Sequence, residues 1–189
     1  MPKKRLIFTL LFDSESQHFC LSRNFRLQKV GDISWLKKNY NFSNVSKFID
    51  ELIILEVSRA NPNKKNFCSA LKKLSSECFI PIAAGGNIRS LEDARTLLLS
   101  GADKVVINSP IFSNPKLTFE ISREFGRQCL IGSIDIKKEA NDYLIYSFNG
   151  STKENIQPKD FFKNLHQFSL GEIYLNSINQ DGTGQDYDL

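Results

Sequence analysis

Apolar segments of strand length recur along this chain, and longer segments with helical periodicity separate them. The apolar segments are nearly continuous rather than alternating, which is typical of parallel strands that are covered on both faces. There are six of them: RLIFTLL (5–11), ELIILEV (51–57), FIPIAA (79–84), DKVVIN (103–108), CLIGSID (129–135) and EIYLNSI (172–178). The pattern therefore predicts an α/β fold in which helices connect parallel strands.

Helix signals occupy four of the connections between these segments. Segment 63–76 places Phe67, Leu71 and Leu74 on one stripe, which is the spacing of an amphipathic helix. Three further helices are predicted from cap residues, breakers or periodicity: one between Ser90 and Gly101, one between Pro115 and Gly126, and one over 157–169. The first connection, 32–48, is less regular.

Two architectures fit this order of elements, a doubly wound open sheet and a (βα)8 barrel. No G-x-G-x-x-G follows the first strand, which argues against the dinucleotide-binding version of the open sheet. The spacing of about six strand–helix units favours a (βα)8 TIM barrel, expected to be incomplete, with strands seven and eight absent from a single partial domain over 1–189. The alternating segment 142–155, which turns at Asn149 and Gly150, predicts a hairpin inserted after the fifth strand.

Composition narrows the classes of function. The 189 residues are 41% hydrophobic and 24% charged, as in a globular protein, and the net charge of +4 includes no basic stripe that would indicate a nucleic-acid partner. No apolar segment approaches the ~20 residues of a membrane span, so no membrane partner is expected. The start MPKKRLIFTLLF has basic residues before an apolar part, as a signal peptide does, but this apolar part is short and acidic residues follow it at once. A first strand in a cytoplasmic protein is expected instead.

Neither cysteines nor histidines form a recognisable cluster. His18 and His166 are isolated in the sequence. The cysteines lack C-x-x-C spacing and predict small buried thiols rather than a disulfide or zinc site: Cys20, Cys68, Cys78 and Cys129. No metal and no cofactor are therefore expected.

Small and polar residues follow several of the predicted strands. In a parallel barrel these C-terminal strand ends carry the chemistry, because glycines let backbone amides approach a phosphate and Asn or Asp side chains offer hydrogen bonds or proton transfer. A Gly-Gly pair alone is more often only a tight turn, and an Asp at a strand end is often a helix cap. The four stretches are AAGGN (83–87), INSP (107–110), SIDIKK (133–138) and SINQDGTG (177–184), with Asn108, Asp135, Asn179 and Asp181 as their polar side chains.

Charged residues start four of the predicted strands: Arg5, Glu51, Lys104 and Glu172. One interpretation is that these are solvated charges that flank strands, and without further information it is favoured. The other is an ion-pair ring that closes the floor of the barrel, in which two positive and two negative residues compensate as a half-buried site requires.

In their order, these motifs resemble the cyclase subunit of imidazole glycerol phosphate synthase, a (βα)8 barrel that works with a glutaminase subunit in histidine biosynthesis. The resemblance rests on DELIILEV, IPIAAGGNI, GADKVVINS, NPKLTFEISREFG, IDIKK and GEIYLNSINQDGTGQDYD. It implies a heterodimer in which the glutaminase docks on the N-terminal face and ammonia passes through the barrel. It also implies a phosphorylated ribulosyl substrate, which is converted to imidazole glycerol phosphate and an aminoimidazole carboxamide ribotide.

The resemblance further implies roles for individual residues. The gate around the ammonia entrance matches Arg5, Glu51, Lys104 and Glu172, and Asp103 matches a partner-facing position. Asp135 matches one of two aspartates that act as general acid and base. Substrate or phosphate binding is implied for Gly85, Gly86, Asn108, Gly182 and Thr183, with Asp181 nearby.

Several positions depart from the family pattern. Leu11 stands where the other catalytic aspartate should end the first strand, and Asp13 lies two residues further on, on the same face if the strand continues and otherwise in a loop. Leu21 stands at the position of a substrate-loop lysine, whose role Arg23 could take over. Asn87 replaces the third glycine of a turn, and Glu56 replaces an aspartate. Because losing a general acid–base group commonly costs about 10²–10⁴-fold in rate, full cyclase activity is not expected.

Three functions follow from these observations. The first is the cyclase subunit itself. The second is a paralogue in surface-polysaccharide pathways, which SECFIPIAAGG and LNSI also resemble and in which ammonia converts a sugar acetamido group to an acetamidino group. The third is a remnant that only docks a glutaminase, since without strands seven and eight the chain alone is expected to be poorly active or inactive.

Overall fold

The computed structural model describes residues 4–40, 44 and 47–185. The strands are β1 (Ile7–Asp13), β2 (His18–Arg23), β3 (Arg26–Gly31), β4 (Glu51–Glu56), β5 (Ile82–Gly85), β6 (Lys104–Ile107), β7 (Leu130–Glu139), β8 (Asp142–Ser147), β9 (Thr152–Lys153) and β10 (Glu172–Ser177). The helices are α1 (Ile33–Tyr40), α2 (Lys64–Ser75), α3 (Leu91–Leu99), α4 (Pro110–Ser113), α5 (Pro115–Phe125) and α6 (Pro158–Lys163), with 3₁₀ turns at Arg127–Cys129 and Leu165–Phe168. Parallel strand pairs connected through helices confirm the predicted α/β class.

Tertiary contacts divide the chain, as far as it is described, into two compact units. The first is formed by Met1–Leu21, Gln28–Ile88 and Glu92–Val105, and the second by Ser22–Leu27, Arg89–Leu91 and Val106–Leu189. The first unit therefore contains β1, β4 and β5 with the first three helices, and the second contains β7 to β10 with the other three.

The sheet of the first unit has β1 and β4 at its centre. β1 pairs with β4 in parallel, β4 pairs with β5 in parallel, and β2 adds to the other side of β1 in antiparallel orientation. The register places Ile7 beside Glu51, Leu11 beside Leu55, and Leu55 beside Gly85. Because alternate residues of a strand point to one face, all of these positions lie on the same face of the sheet.

The sheet of the second unit is built around β7. β7 pairs with β10 in parallel and with β8 in antiparallel orientation, and β8 continues into β9. The register aligns Glu172 with Ile131 at one end and Asn176 with Asp135 towards the other. The pair β8–β9 confirms the hairpin predicted over 142–155.

The helices follow the predicted patterns. Phe67, Leu71 and Leu74 on α2 are each at most 2% exposed, which confirms the apolar stripe. α5 begins at Pro115 and stops before Gly126, whose φ of +90° is unfavourable for residues with a side chain. In residues 4–40, 44 and 47–185, no helix has the length and apolar character that crossing a membrane requires.

The sequence-based prediction missed the hairpin β2–β3. It also placed the C-terminal ends of β1 and β7 several residues before the observed ends. β1 continues past Leu11 to Asp13, so of the two alternatives for Asp13 the continuing strand is the one observed. The cause is the antiparallel partner β2, which supplies backbone hydrogen-bond partners up to Asp13. In the same way β7 continues past Asp135 to Glu139 because β8 pairs with this extension.

Replacing Leu71 with alanine is expected to lower the free energy of unfolding by about 2–5 kcal/mol, because this fully buried side chain leaves a cavity when it is shortened. Leu99→Ala is the matched control, since Leu99 ends α3 and is 78% exposed. Its effect is expected to stay within about 0.5 kcal/mol. Urea unfolding followed by circular dichroism measures both values, and equal effects would contradict the burial of the α2 stripe.

Candidate functional site

A buried carboxylate, Asp135, lies near the end of the β7–β10 ladder and is 5% exposed. The amide nitrogen of Asn108 donates to its Oδ2 atom over 3.1 Å, and the amide nitrogen of Asn176 donates to its Oδ1 atom over 3.2 Å. Asn108 directly follows β6, whereas Asn176 is the residue of β10 that is in register with Asp135. Neutral donors on two neighbouring segments therefore hold both oxygens of this carboxylate.

Burial dominates the electrostatics of Asp135. Desolvation disfavours the charged form and raises the pKa of the carboxyl to about 6, and the negative charge of Asp181 acts in the same direction. The hydrogen bonds from Asn176 and Asn108 favour the carboxylate and limit this rise in pKa. A carboxyl group with a pKa near 6 can accept and donate protons close to neutral pH, as a general acid–base group must.

Hydrogen bonds connect the turn after β10 to the tip of the β2–β3 hairpin. Oδ2 of Asp181 accepts hydrogen bonds from the Ser22 hydroxyl over 2.5 Å and from the Phe25 amide over 2.9 Å. Gly182 has a φ of +65°, and a Cβ atom there would lie 1.9 Å from the Ser22 carbonyl oxygen. The Thr183 hydroxyl donates within the turn, to the carbonyl of residue 180 over 2.9 Å. These contacts are structural, and the substrate contacts expected for the turn stay predictions.

The two predicted glycines of the first unit lie at the end of β5. Gly85 is its last residue and is buried. Gly86 has a φ of +97°, and a Cβ atom there would lie 2.2 Å from the carbonyl oxygen of Glu56. Asn87 follows with a φ of +54°. The close approach of β4 therefore requires Gly86 without any ligand, and its phosphate-binding role stays a prediction.

Three of the four predicted gate residues meet at the N-terminal strand ends of the first unit. Glu51 is 2% exposed, and its carboxylate binds Arg5 Nη1 over 2.9 Å and Lys104 Nζ over 3.0 Å. Two cations on one buried carboxylate supply the compensation that a buried charge requires. Glu172 starts β10 in the second unit, and Asp103 accepts a 2.8 Å hydrogen bond from the first amide of β5. The ion pairs are formed, whereas a role as ammonia gate stays a prediction.

Leu11 and Asp13 occupy the C-terminal part of β1. Leu11 lies beside Leu55 in the parallel register, so an apolar residue occupies the position where the resemblance implies a second catalytic aspartate. Asp13 forms an ion pair with Lys29 Nζ over 2.9 Å and accepts a 2.9 Å hydrogen bond from the Ser58 hydroxyl. Its carboxylate is thereby tied to β3 and to the segment after β4.

The surroundings of Asp13 favour its charged form. Burial by itself raises the pKa of this carboxyl, but hydrogen bonds from Lys29, Ser58 and Ser16 outweigh burial and lower the pKa below its ordinary value of 3.8. The Ser58 hydroxyl also contacts Glu56, the buried acid of β4. Asp13 is therefore a weak proton acceptor and does not reproduce the environment of Asp135.

Sequence reasoning missed Asn176 and Lys29 as partners of the two aspartates. Asn176 could have been found, because every second residue of β10 shares a face and Asp135 was already placed on a neighbouring strand. Lys29 gave no such signal, since the strand that carries it was not predicted. Leu21 and Arg23, which were considered for the substrate-loop lysine, are exposed residues of β2.

The described ranges 4–40, 44 and 47–185 contain no group of three or more His, Cys, Asp or Glu side chains that could hold an ion. His166 is exposed on the second 3₁₀ turn. Asp135 is accordingly the group in the described residues whose environment best suits proton transfer.

Comparison with known proteins identifies the family. Residues 26–189 match the model of the family described as histidine biosynthesis protein. The chain belongs to this family. A provisionally named imidazole glycerol phosphate synthase subunit hisF2 from Parasynechococcus marenigrum is 43% identical over 189 residues, which are 100% of this chain and 70% of that protein. The branch is therefore HisF-like, and the resemblance inferred from the motifs is confirmed.

Other relatives are proteins named imidazole glycerol phosphate synthase subunit HisF. The one from Dehalococcoides mccartyi is 38% identical over 139 residues, covering 74% of this HisF-like chain and 55% of the relative. The one from Exiguobacterium sp. is 33% identical over 164 residues, covering 87% of this chain and 63% of the relative. This HisF-like chain thus spans less than two thirds of the length of these two proteins.

Asp13→Asn is expected to make the HisF-like chain less stable at neutral pH, because it removes the charge that Lys29 and the two hydroxyls stabilise. The pKa of Asp13 is lowered on folding, so its contribution is present above pH 3.8 and is lost as the pH falls through the acidic range. The loss of unfolding free energy in the variant should therefore shrink towards low pH.

Urea unfolding of both proteins at a series of pH values measures this difference. The control is Asp142→Asn, at an exposed position that starts β8. A difference for Asp13→Asn that does not change with pH, or that matches the control, would contradict the ion pair.

Proposed function

We propose that this chain is an ammonia-using subunit of imidazole glycerol phosphate synthase type. In the proposed reaction, ammonia enters a phosphoribulosyl aminoimidazole carboxamide substrate, and cyclisation with cleavage yields imidazole glycerol phosphate and an aminoimidazole carboxamide ribotide. The observation that carries the proposal is the buried Asp135 carboxyl, which two asparagine amides hold and whose pKa is about 6. Membership of the HisF-like branch supports it.

Asp135 is proposed as the general acid–base group. Attack of ammonia on a carbonyl leaves a positive charge on nitrogen, so a proton must be removed before the carbonyl oxygen leaves as water. The departing amine later needs a proton. A single carboxyl group with a pKa near 6 can serve both transfers at neutral pH. Asn108 and Asn176 keep its oxygens in place between the transfers.

Ammonia is proposed to come from a glutaminase subunit, with which the chain would form a heterodimer. The Arg5–Glu51–Lys104 cluster supports an entrance at the N-terminal strand ends, where the proposed gate also includes Glu172. Because Glu51 has two cationic partners, one of them can move aside for a small neutral molecule while the other keeps the carboxylate paired. We place the strand–helix units in the (βα)8 barrel of the family.

Substrate and phosphate are proposed to bind at the opposite strand ends. Backbone amides at positive-φ glycines and small polar side chains suit a phosphate group there. The residues proposed for this role are Gly85, Gly86, Asn108, Asp181, Gly182 and Thr183.

A second candidate is delivery of ammonia to a sugar, converting an acetamido to an acetamidino group as in the surface-polysaccharide paralogues. Leu11 favours it, because an apolar residue, beside Leu55 in the register, stands where the cyclase reaction would call for a second carboxylate. The neighbouring Asp13 does not replace this acid–base group. Its ion pair with Lys29 lowers the pKa of the carboxyl and makes it a weak proton acceptor. The similarity to a protein named hisF2 agrees with either substrate.

Asp135→Asn is expected to lower ammonia-dependent turnover by about 10²–10⁴-fold, because the amide cannot transfer protons. The same variant is expected to gain stability relative to wild type above pH 6. The pKa of Asp135 is raised on folding, so its favourable contribution is complete below its ordinary value of 3.8 and is lost as the pH rises through about 6.

Steady-state assays with the glutaminase or with ammonium salts, together with urea unfolding at pH 5 and pH 8, test both statements. Asp142→Asn, on the exposed start of β8, is the control and should leave turnover unchanged. If Asp135→Asn retains wild-type turnover of every substrate tested, the proposal fails.

Leu11→Asp is expected to raise turnover of the phosphoribulosyl substrate if the chain is a cyclase, because it returns a carboxylate to the end of β1. Leu11→Asn has nearly the same size and polarity without proton-transfer chemistry, so it should give no increase. The assay compares ammonia-dependent turnover of the phosphoribulosyl substrate and of an acetamido sugar nucleotide. Turnover of the sugar alone supports the second candidate, and glutaminase stimulation without any product supports a docking role only.

A further inference from the structure

The two asparagines that hold Asp135 differ in what else they bind. The Asn108 amide is engaged at both ends, because its nitrogen also donates to the Ser133 carbonyl over 2.9 Å and its oxygen accepts from the Ser109 hydroxyl over 3.3 Å. The Asn176 amide nitrogen donates to Asp135 Oδ1, and its amide oxygen has no partner among residues 4–40, 44 and 47–185. Asn108 is thus locked as a donor, whereas the Asn176 amide can turn over.

This difference matters because Asp135 needs different partners in its two states. The carboxylate only accepts hydrogen bonds, whereas the protonated carboxyl carries an O–H that needs an acceptor when it is buried. A proton on Oδ2 would face the locked N–H of Asn108, and two donors would oppose each other. A proton on Oδ1 faces Asn176, whose carbonyl oxygen becomes available when the amide rotates by half a turn.

We propose that Asn176 is a positioning residue that turns its amide with the protonation state of Asp135, so that Oδ1 is the oxygen that gains and loses the proton. In the carboxylate state the Asn176 N–H donates to Oδ1. In the protonated state the Asp135 O–H donates to the Asn176 carbonyl oxygen. The inference deepens the proposed function and rests on it, since it specifies how the same acid–base group works.

Other charged or titratable groups of the second unit do not replace Asn176 in this role. Asp181, in the turn after β10, is itself a carboxylate, and its negative charge favours protonation of Asp135. Lys137 and Glu139 on β7 bind each other over 2.8 Å, and the Tyr146 hydroxyl on β8 donates to Glu139 over 2.7 Å. Their hydrogen bonds are thus made within their own cluster.

Nuclear magnetic resonance of the wild-type protein tests the inference without relying on activity. Side-chain ¹⁵N–¹H resonances of the two asparagines and the ¹³C carboxyl resonance of Asp135 are followed from pH 4 to pH 8. The Asn176 amide is expected to titrate with the midpoint of Asp135 and to exchange its orientation, whereas the Asn108 amide keeps one orientation. An Asn108 amide that turns, or an Asn176 amide that does not respond, overturns the inference.

Variants at position 176 provide the second test. Asn176→Leu has nearly the same volume without hydrogen bonds, and it should raise the proton affinity of Asp135 by about threefold to tenfold, because the lost bond to the charged form is the stronger one. Asn176→Thr carries a hydroxyl that both donates and accepts, and it should return the midpoint towards wild type. The control is Asn164→Leu, because the Asn164 amide nitrogen donates to the backbone carbonyl of Asp160.

The pH dependence of kcat/KM is measured for the same variants. In Asn176→Leu the apparent pKa of this pH profile should rise together with the carboxyl midpoint. In Asn176→Thr it should return towards the wild-type value. An unchanged carboxyl midpoint in Asn176→Leu refutes the inference while leaving the proposed function intact. A midpoint that responds in a protein without turnover of any substrate refutes the proposed function while leaving the pairing of Asn176 with Asp135 intact.

Discussion

The parallel register between neighbouring strands is the constraint on which the placement of Glu51, of Leu11 and of the Asp135–Asn176 pair depends. When two parallel strands pair in register, residues at the same height point to the same face. In the first unit this places Glu51 at one end of the β1–β4 face and Leu11 beside Leu55 at the other. In the second unit it places Asn176 directly beside Asp135. A slip of one residue would send each of these side chains to the opposite face.

Three buried carboxylates show how differently the same cost of burial can be met. Glu51 is compensated by two cations, so its charge is structural. Asp13 combines a lysine with hydroxyl donors and stays ionised over an extended pH range. Asp135 receives only neutral amides, which leave its pKa near 6 and make proton exchange accessible at neutral pH. Burial raises the pKa of both Asp13 and Asp135, and the nature of their partners decides whether that rise is outweighed.

Antiparallel hairpins extend the parallel strands at the ends where the chemistry is expected. β2 continues the pairing of β1 to Asp13, and β8 continues the pairing of β7 to Glu139. The tip of the β2–β3 hairpin then binds Asp181 through the Ser22 hydroxyl and the Phe25 amide. A residue that the motif suggested for substrate binding therefore also has a structural role, which sequence spacing alone could not reveal.

The sequence by itself determined the α/β class, the order of the parallel strands and most connecting helices, the family, and Asp135 as the leading acid–base candidate. Continuous apolar strands, helix caps and dense local motifs are properties of contiguous residues. Only the tertiary structure decided which partners each carboxylate has. Lys29 reaches Asp13 because the β2–β3 hairpin, which the sequence did not predict, folds back beside β1. Asn176 reaches Asp135 because β10 and β7 pair in that register. The pKa of a buried group follows from such contacts, which no local pattern of residues specifies.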